Sequence, residues 1–374
     1  MAKARLAVDI GGTFTDLALE RGGRQFSSKL LTTPRAPEEG VLTGIERIMQ
    51  LAELAPADIA LIIHGTTLAT NAIIERKGAR TALIVTEGFR DSIEMAYENR
   101  FEQYDIFMDK PAPLVPRDLR FGVPERLDAQ GNVLIPLDEE AVRALAATLE
   151  RAGIESVAIG YMHAYRDGRH ERRTRDILAG LLPHLPISLS SEVSPEIREY
   201  ERWSTAVANA YVQPAIDRYL GRLDAALGAR GFACPLLLMT SGGGLTVLPT
   251  ARKFPVRLVE SGQAGGAILA AGLARQCGLD KVLSFDMGGT TAKICLIDGG
   301  EPQHSRAFEV ARQYRFLKGS GLPLRIPVIE MVEIGAGGGS IARVDELARV
   351  TVGPEAPGRS RAPPATIAAA SIPR

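Results

Sequence analysis

The chain has 374 residues, 45% of them hydrophobic and 24% charged, with 44 basic side chains against 44 acidic ones. That length predicts two or three packed units with a sizeable core, and a formal net charge of zero gives no bulk pull toward nucleic acid or anionic lipid, so neither nucleic acid nor membrane is expected as a partner. No apolar run approaches the roughly 20 residues that span a bilayer, the N-terminus lacks an apolar signal core, and Cys234, Cys277 and Cys295 lack the spacing of a disulfide framework or zinc site; a cytoplasmic protein is expected.

Residues 6–10 alternate as a strand, enter Gly11-Gly12-Thr13 and leave as a second apolar run over 14–19, which predicts a glycine hairpin carrying the acid Asp9. Helical spacing follows over 38–55, a short strand over 59–64, a helix over 68–77 and a strand over 80–85. Residues 94–137 break this rhythm. Five prolines (Pro111, Pro113, Pro116, Pro124, Pro136) among polar residues predict extended segments and turns, read as an insertion covering a cleft. A regular run then resumes: helix 138–152, strand 156–161, helix 170–182, strand 187–190. Helical segments are predicted at 195–211 and 216–230, and a strand at 236–239. Such alternation is the pattern of α/β architecture.

The chain repeats itself. LAVDIGGTFTDLALE at residues 6–20 returns as LSFDMGGTTAKICLI at 283–297, at one constant offset that pairs Leu6 with Leu283, Asp9 with Asp286, Gly11 with Gly288, Gly12 with Gly289, Thr13 with Thr290 and Leu19 with Leu296. Two related hairpins predict two related lobes, the first spanning residues 1–280 with its insertion at 94–137, the second opening at 281. Residues 325–334 then read as a strand entering a glycine-rich turn, and the Pro/Ala/Ser/Arg-rich stretch 351–374 predicts a disordered tail. Roughly 90 residues after Lys281 are too few for a lobe as large as the first. The second lobe, 281–350, is therefore expected to be incomplete.

Nucleotide phosphates need backbone N–H groups at close range, which glycine permits, plus hydroxyls and a carboxylate to hold hydrated Mg²⁺. Gly11, Gly12, Thr13 and Thr15 beside Asp9 offer that set; Gly288, Gly289, Thr290 and Thr291 beside Asp286 repeat it and add the cation Lys293. A plain turn with a solvated acid would explain either hairpin alone, but packing gives no reason to duplicate both the acid and the threonine. His64-Gly65-Thr66-Thr67 ends a strand and opens a helix at Thr70-Asn71, the strand end where α/β proteins bind ligands. His64 could equally be a satisfied structural residue there. Gly242-Gly243-Gly244 and the segment 260–266 are further loops that serve either a cleft or close helix packing.

Two Asp-x-Gly-Gly-Thr hairpins are similar to the phosphate loops of the actin, heat-shock chaperone and sugar-kinase superfamily. VDIGGTFTD (8–16), HGTTLATNAIIERKGA (64–79), SFDMGGTTAK (284–293) and EIGAGGGSIA (333–342) more closely resemble the hydantoinase A family of ATP-dependent hydantoinases, 5-oxoprolinases and ketone carboxylase subunits. The resemblance covers about residues 5–350 and implies duplicated ribonuclease H-like (actin-like ATPase) lobes around a nucleotide cleft. It implies ATP and Mg²⁺ as cofactors, with Asp9 and Asp286 on the metal, His64 as a catalytic residue, and Thr66, Thr67 and Asn71 toward the substrate. The reaction implied is opening of a cyclic amide such as a hydantoin or 5-oxoproline, alongside a B-type subunit. A carboxylase subunit, a small-molecule kinase and an inactive remnant are the other readings. Two departures stand out: Gln263 replaces the proline of a Ser-Gly-Pro-Ala pattern, and residues after about Glu355 replace the usual continuation.

Overall fold

The computed structural model describes residues 3–33, 35–98, 100–288, 292–312, 317–334, 337 and 340–353. Its first sheet grows from the N-terminal hairpin. Strand β1 (Ala4–Ile10) buries alternate residues, Leu6, Val8 and Ile10, on one face and turns Arg5, Ala7 and Asp9 to the other. It pairs antiparallel with β2 (Phe14–Arg21), which pairs with β3 (Arg24–Leu31). Helix α1 (Pro37–Ala52) starts with proline and two acids and lays Val41, Ile45 and Ile48 on the buried face. At Gly44 an added Cβ would stand 2.4 Å from Leu17 Cδ1, so the glycine is what lets the helix sit this close to the sheet.

Strand β4 (Ile59–Thr66) runs parallel to β1 and leads into α2 (Leu68–Ile74). The chain then leaves this sheet to build a second one from β5 (Thr81–Thr86), β6 (Arg120–Val123), β7 (Ser156–Gly160) and β8 (Ile187–Leu189), with helices α3 (Glu139–Arg151) and α4 (Arg169–Leu181) between them. Its order is β8-β7-β5-β6, all parallel. β5 and β7 are buried at every position, as expected of strands covered on both faces. Within residues 94–137, β6 is thus an integral sheet strand.

Helix α5 (Glu199–Ala229) is a single 31-residue element with Pro214 inside it. The sequence predicts two helical pieces here. Packing overrides the break, because the helix is wedged between the two cores: Trp203, Ala206 and Val207 belong to the second sheet's cluster, Val212, Ile216 and Leu220 to the first's. The chain then returns to the first sheet with β9 (Leu236–Met239), parallel to β4, and the edge strand β10 (Leu245–Val247), giving the order β10-β9-β4-β1-β2-β3.

After α6 (Ser261–Gln276), β11 (Lys281–Met287), β12 (Ala292–Asp298) and β13 (Glu301–Pro302) form a third sheet. A small hairpin of β14 (Phe308–Val310) and β15 (Leu322–Leu324) follows, and β16 (Val332–Ile334) adds to β12. The single strand expected over 325–334 is broken in two, since Val328–Ile329 pairs elsewhere, with His304–Ser305. Among the described residues no helix is long and apolar enough to cross a membrane.

The repeat extends further in the backbone than in the sequence comparison. The β1–β2 register pairs Asp9 with Asp16 and Ile10 with Thr15; the β11–β12 register pairs Asp286 with Lys293 and Met287 with Ala292, the same four-residue loop at the same offset. The next turn repeats too. Gly22-Gly23 (φ 55° and 81°) joins β2 to β3, and Gly299-Gly300 (φ 59° and 76°) joins β12 to β13. Two consecutive positive φ values are what a tight hairpin turn requires and glycine supplies.

Candidate functional site

Strands β1, β4 and β9 are parallel, so their C-terminal ends form one rim, the edge at which open α/β sheets bind ligands. Asp9 lies across from Gly65 on that rim. Its carboxylate is nested against bare backbone: an added Cβ would stand 2.7 Å from Oδ1 at Gly65 and 3.2 Å at Gly262, the second residue of α6. Asp9 Oδ1 is buried with no hydrogen-bond partner among the described residues. Burial raises its pKa, and the neighbouring carboxylates of Asp16 and then Asp286 raise it further. An open cleft of about 710 Å³ lies over this face, bounded by Ala7, Asp9, Asp16, Gly65 and the first turns of α6.

The hairpin beside it is receptive to anions. Gly11 N–H donates to Phe14 O (2.9 Å) and closes the turn, while the N–H groups of Gly12 and Thr13 make no hydrogen bond among the described residues. Both residues are exposed. Thr67 buttresses the turn from β4's end, donating N–H and hydroxyl to Ile10 O (3.0 and 3.1 Å), and Asn71 donates to the Thr67 hydroxyl (3.3 Å) while lying 3.8 Å from where a Cβ of Gly12 would be.

Three expectations need correction. Thr15 faces the core, fully buried against Thr32 Oγ1 (3.1 Å), because strand alternation puts Asp9 and Asp16 on the cleft face and Thr15 on the other. His64 is also buried. Its Nδ1 meets Val8 O at 3.2 Å and its Nε2 the Tyr219 hydroxyl at 2.7 Å, leaving neither nitrogen for a substrate. Burial lowers its pKa to about 4. Thr66 is structural as well, its hydroxyl accepting from Leu68 N–H (3.2 Å) and its carbonyl from Ser261 Oγ (3.1 Å).

From the second hairpin, Asp286 is close enough to act on Asp9, and Lys293 sits opposite it across the strand pair. Lys293 is held in an ion pair with Glu260, with Glu333 at 3.9 Å. Gly288 directly follows β11, whereas Gly289, Thr290 and Thr291 lie outside the described residues. Glu260 opens the 260–266 segment, which the sequence left between a cleft loop and close helix packing, with no role given to this residue. It caps α6 in the left-handed region (φ 62°, ψ 24°), a strained position for a side chain with a Cβ, and donates its N–H to Thr70 Oγ1 (3.0 Å). Its signal was the Ser-Gly start of a helix facing the strand-end threonines. Gly242-Gly243-Gly244 serves packing: Gly243 (φ 80°) lies against Ile268 and Ile329.

A carboxylate with an unsatisfied oxygen, free turn amides and the N-terminal end of a 16-residue helix meet at the strand rim of this α/β protein, groups of the kind that receive anions. Among the described residues no three His, Cys, Asp or Glu groups converge as a ready-made metal site. Residues 5–182 match the hydantoinase/oxoprolinase N-terminal region and residues 202–372 the hydantoinase/oxoprolinase domain. The chain belongs to the hydantoinase/oxoprolinase family. It is 34% identical to caprolactamase subunit alpha of Pseudomonas jessenii over 96% of this chain and 51% of that protein, and 30% identical to the acetone carboxylase beta subunit of Xanthobacter autotrophicus over 94% and 50%. The crystal structure of the ATP-dependent caprolactamase from Pseudomonas jessenii superposes with a TM-score of 0.80, covering 95% of this chain and 51% of that one, at 34% identity. The nucleotide-free acetone carboxylase structure gives 0.79 at 28% identity, over 94% and 50%. The chain spans about half the length of these relatives.

Proposed function

We propose that this chain is the nucleotide-using subunit of an ATP-dependent cyclic amidohydrolase, built on two actin-like lobes whose hairpins share one phosphate site. The observation that carries the reading is the Asp9 carboxylate, buried between Gly65 and Gly262 with one oxygen unpartnered, beside free amides of Gly12 and Thr13. A buried lone carboxylate is costly unless a cation completes it. Asp9 and Asp286 would hold Mg²⁺, which when bound neutralises charge on the phosphates.

An unstrained cyclic amide is a poor electrophile because its nitrogen lone pair is delocalised into the carbonyl. In the proposed reaction the amide oxygen attacks the γ-phosphorus of ATP, forming an O–P bond as the bond to the β-phosphate oxygen breaks and ADP leaves. Water then adds to the activated carbon, the C–N bond breaks as the ring nitrogen takes a proton, and a second water hydrolyses the resulting acyl phosphate to carboxylate and phosphate. This chain's residues position and neutralise: the Gly12 and Thr13 amides and the Thr13 hydroxyl face the phosphates, and Thr67 and Asn71 fix the hairpin. Lys293 can join them only by leaving Glu260. The subunit names of the relatives support a partner subunit, of the B type, that completes the reaction.

The test is ADP release by the chain with its partner subunit, offered hydantoin, 5-oxoproline, caprolactam and acetophenone in turn. Stimulation by a cyclic amide with ring-opened product supports the reading. Stimulation by the ketone alone assigns the carboxylase branch, a stable phosphorylated product assigns a kinase, and no turnover with any of them removes the proposal.

A further inference from the structure

A second cavity, of about 350 Å³, lies away from the Asp9 rim, between one face of α5, residues 93–114 and the β14–β15 hairpin. Its size falls within the range of small-molecule sites, roughly 300–1,000 Å³. Tyr200, Ser204 and Val207 supply the helical wall at the spacing that brings side chains onto one face. Tyr97 packs edge-on against Tyr200, with ring centroids 5.0 Å apart at 88°, and Phe101 adds a third ring.

The charges around it do not cancel. Of the acids on its wall, Glu94 is bound by Arg120 Nη2 (2.7 Å), and Glu309 accepts the Gly319 N–H (2.8 and 2.9 Å) and Arg312 Nε (3.1 Å). The two cations have no such compensation. Among the described residues Lys110 Nζ donates only to the neutral Met95 carbonyl (3.2 Å), and Lys318 makes no ion pair. Tyr97 spends its hydroxyl on Glu201, whereas the Tyr200 hydroxyl makes no hydrogen bond among the described residues. Burial, with Glu309 and Glu201 adding, lifts the Tyr200 pKa to about 12, so it stays a neutral donor at physiological pH.

We propose that this cavity binds a small ring-bearing carboxylate, its ring against Tyr97, Tyr200 and Phe101 and its anionic end toward Lys110 and Lys318. Apolar rings gain most from an aromatic-walled pocket, and an anion there meets two uncompensated ammonium groups and a phenol donor. The two lysines come from segments far apart in sequence, so the ligand would tie residues 93–114 to the β14–β15 hairpin. The inference does not depend on nucleotide chemistry at Asp9.

The experiment titrates the full chain with benzoate and with its neutral isostere benzamide, read by calorimetry and ligand-observed NMR. The expected result is saturable one-to-one benzoate binding, benzamide at least tenfold weaker, loss of benzoate binding in Ser204→Phe, which fills the cavity, and a tenfold or greater weakening in Lys318→Met. Circular dichroism and Tm show whether Ser204→Phe is folded; if it is not, the exposed Lys318→Met decides. Absence of saturable benzoate binding, equal affinity for benzamide, or benzoate binding unchanged in a folded Ser204→Phe or in Lys318→Met would overturn the proposal.

Discussion

Asp9 is held where its own charge is unfavourable. Its pKa is raised in the folded chain, so relative to the unfolded state it favours the protonated form: the native state is most favoured below the unfolded value, and stability is lost as pH rises through the folded one. The ionised carboxylate is thus a penalty in the folded chain. Asp9→Asn is therefore expected to raise the Tm of the ligand-free chain, while abolishing ATP turnover with the partner subunit. A Tm that falls, or turnover that persists, would count against this role. His64 shares the cause, burial, but its stability runs the other way with pH. Its pKa drops to about 4 from an unfolded value near 6.5. The unfolded chain then binds more protons, so stability is complete above about pH 6.5 and falls as pH drops toward 4, by up to about 3 kcal/mol. Urea unfolding at stepped pH should show that slope, and His64→Gln should flatten it. The sequence made Asp9 legible, because an acid between a strand and two glycines has few structural uses. It misled at Thr15 and left His64 open between a structural and a cleft role, since strand parity fixes which face a side chain takes and residue type does not.

Between elements, the closest approaches are made by glycine. Helix α5 lies so near β7 that a Cβ on Gly160 would stand 2.4 Å from Trp203 Cδ1. Gly160→Ala should cost about 1–3 kcal/mol through overpacking, read as a lower urea midpoint at unchanged slope; an unchanged midpoint would mean that Trp203 can move aside freely. Helices and strands of the α/β alternation could be read from periodicity because each buries one face. α5 could not be read as one element, since a proline ordinarily ends a helix and only packing against two sheets at once holds it continuous across Pro214. The third strand of each repeat was missed for a different reason. Residues 24–31 and 301–302 share little side-chain pattern, and their common signal is the glycine pair of the preceding turn.

On the scale of the whole molecule, the third sheet turns an apolar face outward: Leu283, Phe285 and Met287 are 54%, 55% and 51% exposed. A patch of that kind marks an interface or drives self-association. Leu283→Lys with Phe285→Lys should reduce light scattering of the isolated chain at equal concentration and leave its Tm nearly unchanged, whereas unaltered scattering would place the sticky surface elsewhere. The first sheet, in turn, is discontinuous along the chain. β4 ends at Thr66 and its parallel neighbour β9 begins at Leu236, with the whole second sheet made in between. At a synthesis rate of roughly 5–20 residues per second, the outer edge of β4 waits on the order of ten to thirty seconds on the ribosome for its partner. During that interval Ile59–Thr66, an apolar strand with unpaired N–H and C=O groups, is open to wrong pairing. The second sheet, contiguous in sequence, is the part of the protein able to fold while it waits.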